Sequence, residues 1–189
     1  AIGKLEKKIG EKIIDACDKI INGELDDEFP LSVWQTGSGT QTNMNLNEVI
    51  ANYSNKSLGE KLGEYKKVHP NDHCNMGQSS NDSFPTAMHI SIVLETNKNL
   101  LKKIDNFIKI LEKKEKEFQN IIKVGRTHLQ DATPISVGQE FGTYVSQVKN
   151  AKKRVKDSLK ELMILAQGGT AVGTGLNTSK KFVSGFIKA

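Results

Sequence analysis

Residues 84–120 read FPTAMHISIVLETNKNLLKKIDNFIKILEKKEKEFQN. Ala87, Ile90, Leu94, Asn97, Leu101, Ile104, Ile108, Leu111, Glu115, Phe118 and, just past the stretch, Ile122 fall three or four apart. A second stripe carries Met88, Ile92, Leu100, Phe107 and Ile110. This spacing predicts one long helix from Phe84 to about Asn120. One stripe would suit a coiled-coil seam; two predict a helix buried between several neighbours. At 1.5 Å per residue it is roughly 50 Å long, too long for a compact monomer of this size. An all-α, long-helix bundle, and with it an oligomer, follows.

Working outward, residues 1–22 read as a helix with Ile2, Leu5, Ile9, Ile13, Ala16 and Ile20 on one face, stopped by Gly23. Leu25 to Pro30 is an acidic connector, and Trp34 to Asn43 (WQTGSGTQTN) a small-residue loop. Met44 to Leu58 predicts a second helix, ended by Gly59. Val68 to Pro85 (VHPNDHCNMGQSSNDSFP) is a dense run of short polar side chains that bond their own backbone and favour turns and caps. It predicts a loop, with Asp82 or Ser83 capping the long helix and Pro85 in its first turn. Val124 to Thr133 (VGRTHLQDAT) predicts a further polar loop. A core helix is expected from Pro134, with Val137, Phe141, Val145, Val148, Val155, Leu159, Leu162 and Ala166 on its apolar side. GGTAVGTG at 168–175 ends it, and Asn177 is expected to cap a last helix. No strand is predicted.

The 189 residues suffice for one sizeable domain, and a hydrophobic share of 37% fits helices that share their core with neighbours. A net charge of +5 is spread as lysines over helix faces, with Arg126 and Arg154 the only arginines. No basic run alternates with aromatics, so the charge reads as a solvated face and not as a nucleic-acid surface. Cys17 and Cys74 make no disulfide framework, which fits a reducing compartment. No apolar run is long enough to span a membrane. The chain begins without Met in a helical pattern and ends in another, so it reads as part of a longer protein.

The three polar loops carry Ser38, Thr40 and Asn43; His69, Asn71, Asp72, Ser79, Ser80 and Asn81; and Arg126, Thr127, His128 and Gln130. Hydroxyls, amides and helix N-termini are suited to binding carboxylates. Imidazole supplies an acid or base near neutral pH. The combination predicts a site for a small di-acid that stabilises extra charge on one carboxylate. Plainer readings compete. His128 alone would pass for a structural histidine, and His89 for helix packing. His69, His73, Cys74 and His89 have no standard zinc spacing, and Pro70 and Asn71 interrupt any helix between them, so no metal is expected. GGTAVGTG follows a helix and lacks the Gly-Lys-Ser/Thr ending of a phosphate loop; a tight turn between helices is its ordinary use. Asp131 reads as a turn or cap residue.

WQTGSGTQTNMNLNEVIAN, HPNDHCNMGQSSNDSFPTAMHI, GRTHLQDATPISVGQEF and GGTAVGTGLN closely resemble class II fumarate hydratases, of the fumarase/aspartase superfamily. The resemblance extends along essentially the whole chain. Aspartate ammonia-lyases are similar but usually carry Ser-Thr-Asn-Asp where this sequence has Ser79-Ser80-Asn81-Asp82. The resemblance implies an all-helical homotetramer whose active sites are each built from three subunits. It implies cofactor-free, reversible hydration of fumarate to L-malate in the tricarboxylic acid cycle. The expected place is the cytoplasm if bacterial and the mitochondrial matrix if eukaryotic. It implies that residues 1–67 end an N-terminal helical domain and that 68–189 begin the central bundle.

Position by position, the resemblance implies that Ser38, Gly39 and Thr40, then Ser79, Ser80 and Asn81, and Thr127 bind substrate. It makes His128 the catalytic proton donor and acceptor. It places a second dicarboxylate site, near the mouth of the first, at His69, Pro70, Asn71 and Asp72. The family's later Gly-Ser-Ser-x-Met-Pro-Gly-Lys-x-Asn-Pro loop, which supplies a catalytic serine, has no match here, so the chain by itself is expected to be inactive. Two rivals stand beside this reading: an aspartate ammonia-lyase, and a helical scaffold that has kept the bundle and lost the chemistry.

Overall fold

The structure, a computed structural model, describes residues 3–189. The chain divides into two compact units, residues 3–88 with 165–189, and residues 89–164.

In the first unit, α1 (Lys7–Ile21) packs on α2 (Thr40–Ser57). Ala16 is fully buried, and Ser54 Oγ donates to Lys12 O at 3.1 Å. The helix expected from residue 1 starts at Lys7; Ala1 and Ile2 lie outside the described residues. Gly23 and Gly59 stop α1 and α2 as expected, and both ends close in the same way. The amide after each glycine reaches back to the helix, Glu24 N to Lys19 O at 3.0 Å and Glu60 N to Asn55 O at 2.9 Å. α2 begins at Thr40, four residues before the expected Met44. Its first turn is polar, so apolar spacing gave no sign of it.

The buried face of α2 is also polar in places, and Asn55 explains why. It is wholly buried, and its amide is saturated. Nδ2 donates to Ala51 O at 2.8 Å and Val68 O at 2.6 Å, while Oδ1 accepts from Lys67 N at 3.2 Å and Val68 N at 3.0 Å. One side chain thus fixes the entrance to the 68–85 segment on α2. Asn55→Ala leaves a buried N–H and C=O of Val68 unpaired, at ~1–3 kcal/mol each, so a loss of roughly 3 kcal/mol is expected in urea denaturation. A loss below ~0.5 kcal/mol would show that Val68 finds other partners.

Beyond Val68 the chain makes a single π-turn, Pro70–Cys74, and α3 (Ser80–Glu95) then begins. The long helix therefore starts inside the expected loop, four residues before Phe84. Ser79 caps it instead of Asp82 or Ser83: Asn81 N donates to Ser79 Oγ at 3.2 Å, and Ser79 N to Asp82 Oδ1 at 2.9 Å. After residue 165 the unit is completed by the glycine-rich turn and α6 (Lys180–Lys188), capped by Ser179 and not by Asn177. Ser179 has the extended backbone usual at that position and its Oγ accepts from Phe182 N at 3.2 Å, whereas Asn177 lies in the left-handed region at φ 63°.

From Ser80 the chain stays helical to Glu117 through α3, a π-turn at Thr96–Leu100 and α4 (Leu101–Glu117). The π-turn adds a residue to one turn, and Asn97 Nδ2 donates to Val93 O at 2.9 Å beside it. In the second unit α4 packs on α5 (Val137–Leu162). Leu101, Ile108, Leu111 and Val145 are buried, and the Phe118 and Phe141 rings meet edge to face at 5.3 Å. Glu112 pairs with Lys149 at 2.6 Å, and Asp105 with Lys152. The bond from Lys152 holds the Asp105 carboxyl below its usual range. His89 Nδ1 donates to Ile164 O at 3.0 Å, so its role here is to fasten the helix to the backbone.

The expected loop at 124–133 is instead a β-hairpin, β1 (Ile122–Thr127) with β2 (Gln130–Ser136). Ile122 faces Ser136 and Thr127 faces Gln130, with a bulge between Val124 and Arg126. Pro134 lies in β2, and α5 starts three residues later under a capping box. Gln139 N donates to Ser136 Oγ at 3.0 Å, and Ser136 N to Gln139 Oε1 at 2.8 Å. α5 ends at Leu162, ahead of the expected glycine stop.

Candidate active site

The site is assembled from segments that a sequence reading treats as separate loops. At the start of α2, Gly39 adopts φ 73°. A Cβ there would lie 2.1 Å from Phe84 Cγ, so the Ser38–Thr40 backbone rests directly on the first turns of α3. Thr36 Oγ1 meets Ser38 Oγ at 3.1 Å and donates to Gln41 Oε1 at 2.8 Å, which ties the arc back to its own helix. One turn on, buried Asn43 donates from Nδ2 to Ser80 Oγ at 3.0 Å and to Asn75 Oδ1 at 3.4 Å. The first and second polar segments therefore meet within the first unit.

The second segment is held from its other side. Asp82 is 1% exposed. Its Oδ1 accepts from Ser79 N, and its Oδ2 from Gly168 N at 3.0 Å and Thr170 N at 2.8 Å. Asn81 Nδ2 donates to Ala171 O at 2.7 Å. Between these walls is a cleft of about 300 Å³ lined by Asn71, Asn75, Gln78, Ser79, Ser80 and Asn177, among others. Its polar lining is amide and hydroxyl, at the positive end of α3, which suits a carboxylate.

His69 precedes the π-turn and Asp72 lies within it. His69 Nδ1 accepts from Asp72 N at 3.2 Å, and His73 Nδ1 accepts from His69 N at 2.8 Å. Asn71 and Asp72 are exposed and Pro70 is buried. Burial, with Cys17 adding to it, pushes the neighbouring Cys74 thiol up to about 12, so at neutral pH it is an uncharged packing group. Among the described residues, no three of His, Cys, Asp and Glu gather as metal ligands.

Thr127 and His128 belong to the second unit, at the tip of the hairpin. His128 at φ 50° and Leu129 at φ 64° form a two-residue turn with both central residues left-handed. Thr127 and His128 are exposed, and Leu129 is 93% exposed. The turn gives the imidazole a fixed root and leaves it accessible.

The hydroxyls and histidines stand out in the sequence, whereas the organising roles of Asn43, Asn75 and Asp82 emerge only from the hydrogen bonds. The signal was present. Asn43 and Asp82 lie in segments that become helical, where short polar side chains are poor choices unless something claims them.

A family model described as Lyase matches residues 1–189. The chain belongs to this lyase family. It is 57% identical over 187 residues to class II fumarate hydratase 2 of Bradyrhizobium diazoefficiens, covering 99% of this chain and 40% of that protein. To the mitochondrial fumarate hydratase of Saccharomyces cerevisiae it is 57% identical over 182 residues, 96% of this chain and 37% of that protein. The crystal structure of a class II fumarase from Schistosoma mansoni superposes with a TM-score of 0.86 at 51% identity, over 96% of this chain and 38% of that one. The expected helical fold and the family resemblance are both met. The chain spans about two fifths of the length of the curated relatives it matches.

Proposed function

We propose that this chain carries part of the active site of a class II fumarate hydratase, which interconverts fumarate and L-malate without a cofactor. The observation that carries this reading is the cleft at the head of α3, where Ser79 and Ser80 are held beside Asn81 by Asn43 and Asp82. Neutral donors and a helix N-terminus hold one carboxylate of the substrate. When a proton leaves the adjacent carbon, that carboxylate gains a second charge, and prepositioned donors stabilise it without reorganisation. Ser38, Gly39 and Thr40 bind at the other edge of the site. His128 moves a proton, and Thr127 binds beside it. On the opposite face of the substrate, an acid gives a proton to the departing hydroxide, which leaves as water.

The assembly is the homotetramer, with each active site drawn from three subunits. Met88, Ile92, Leu100, Phe107 and Ile110 support it: the whole second stripe is between 44% and 50% exposed in the single chain. Leu101, Ile108 and Leu111 of the first stripe are buried, whereas Ile90 and Leu94 are exposed like the second stripe, and so much uncovered apolar surface on one long helix fits further copies packed against it. Residues 68–189 are accordingly read as the beginning of the shared bundle, and 1–67 as the end of the domain before it. No helix among the described residues is long and apolar enough to cross a membrane. The tricarboxylic acid cycle is the setting, in cytoplasm or mitochondrial matrix, and the relatives include bacterial and mitochondrial proteins.

The test is fumarate formation from L-malate by the full-length protein, followed by ultraviolet absorbance, with L-aspartate in parallel. Fumarate from malate alone supports the hydratase. Fumarate from aspartate moves the assignment to an ammonia-lyase, and none from either, with an intact oligomer, to a scaffold. His69, Pro70, Asn71 and Asp72 make the second dicarboxylate site, at the mouth of the first, where Asn71 also lines the cleft. His69→Asn is therefore expected to lower kcat/KM by less than about tenfold, ~1.4 kcal/mol. A loss comparable with that of a catalytic group would place His69 in the chemistry.

A further inference from the structure

Asp82 is the most thoroughly engaged charged side chain of the first unit, and the reaction does not use it directly. Its carboxylate is removed from solvent, beside a cleft suited to a doubly negative ligand. An uncompensated charge there would be expensive and would repel that ligand. It is compensated almost wholly by backbone: Ser79 N on one oxygen, Gly168 N and Thr170 N on the other. Ser83 Oγ adds a contact at 3.3 Å. The two strands of chain joined in this way are more than eighty residues apart in sequence.

Both joined segments need holding. Thr170 is β-branched and has φ 57°, a conformation that costs of order 1–3 kcal/mol and persists only where surroundings enforce it. The bond from its own amide to Asp82 is such an enforcement. The next residue, Ala171, supplies the carbonyl that receives Asn81 Nδ2. The orientation of Asn81 thus depends on the turn, the turn depends on Asp82, and Asp82 also holds the amide of Ser79.

We propose that Asp82 is a positioning residue, a latch that locks the Gly168–Ala171 turn to the Ser79–Asn81 arc and so aims the carboxylate-binding donors. Its kinetic consequence rests on the hydratase reading above; its structural consequence does not. Asp82→Asn keeps the shape and replaces one accepting oxygen by a donor that cannot meet an N–H. In the full-length protein this variant is expected to lower kcat for L-malate by about 100-fold, the scale of a 1 Å misplacement of a reacting group. Oligomeric state is unchanged. Because part of the effect of Asp82 runs through Asn81 and part through Ser79, the double variant Asn81→Ala/Asp82→Asn is expected to lose at least about threefold less than the product of the two single losses. Fully additive losses, or a near-normal kcat for Asp82→Asn, overturn the proposal.

Amide hydrogen exchange separates the latch from the reaction. In the wild-type protein the amides of Ser79, Gly168 and Thr170 should exchange at one common free energy, as members of one cooperative unit. Asp82→Asn should lower the protection of Gly168 and Thr170 by at least about tenfold. Wild-type Gly168 and Thr170 amides that exchange as an open loop while Ser79 stays protected overturn the latch, even if the variant does not fold. A wild-type protein that forms no fumarate removes the hydratase reading, and the latch is then judged on exchange alone.

Discussion

His128→Asn in the full-length protein is expected to lower turnover of L-malate by about 10²–10⁴-fold, the usual contribution of a positioned general acid or base. The choice of asparagine follows from the backbone. His128 stands at φ 50° in the first central position of the hairpin turn. Most residues resist this conformation, whereas Asn adopts it readily. The variant therefore keeps the turn and removes only the imidazole. Alanine would remove the group and strain the turn, which confuses the two effects. The side chain is exposed at the hairpin tip, so its loss should leave the oligomer and its thermal midpoint nearly unchanged. Steady-state kinetics with size-exclusion chromatography decides the point. A rate within a factor of a few of wild type, from an intact oligomer, would take His128 out of the reaction.

The same turn shows why part of the fold was hidden in the sequence. Two-residue hairpins usually announce themselves with Asn-Gly or Asp-Gly. Here the central residues are His128 and Leu129, and β1 and β2 lack clean alternation, so VGRTHLQDAT reads as loop. The long helices were legible because apolar residues at three-four spacing leave no other regular structure open to them. Their ends were legible where glycine stops them, at Gly23 and Gly59, and illegible where a polar turn opens them, at Thr40 and Ser80. The chemistry of the site was legible as an inventory of hydroxyls, amides and imidazoles. Its assembly was not, because the partners that organise it are remote. Asn43 finds Ser80, and Asp82 finds Gly168 and Thr170. Nothing local in a polar residue says which distant backbone it will hold. What a sequence can offer is the anomaly itself, a buried-type position filled by Asn or Asp.

Gly39→Ala is expected to be the most damaging single-methyl change in the first unit. Two independent penalties coincide. The residue has φ 73°, which alanine adopts at roughly 1–2 kcal/mol. The added Cβ would also lie 2.1 Å from Cγ and 2.2 Å from Cδ1 of Phe84, far inside contact distance. The clash falls at the root of the ring as well as on its edge, so turning the ring about its own axis cannot relieve it and the whole side chain, α3 or the arc must move. Overpacking of this kind adds ~1–3 kcal/mol, for a total of roughly 2–5 kcal/mol. Whatever moves, the site moves with it: the arc carries Ser38 and Thr40, while α3 carries Ser80 and Asn81. The variant should therefore lose stability in urea denaturation and lose turnover as well. Phe84→Ala combined with Gly39→Ala, compared with Phe84→Ala alone, separates the two penalties, because alanine lacks the Cγ, Cδ1 and Cδ2 atoms that the new Cβ meets and leaves the backbone strain in place. Recovery of about half or more of the lost stability in the double variant identifies the clash with Phe84 as the larger penalty. No recovery assigns the whole effect to the left-handed backbone. Wild-type stability for Gly39→Ala alone would show that the arc does not rest on Phe84.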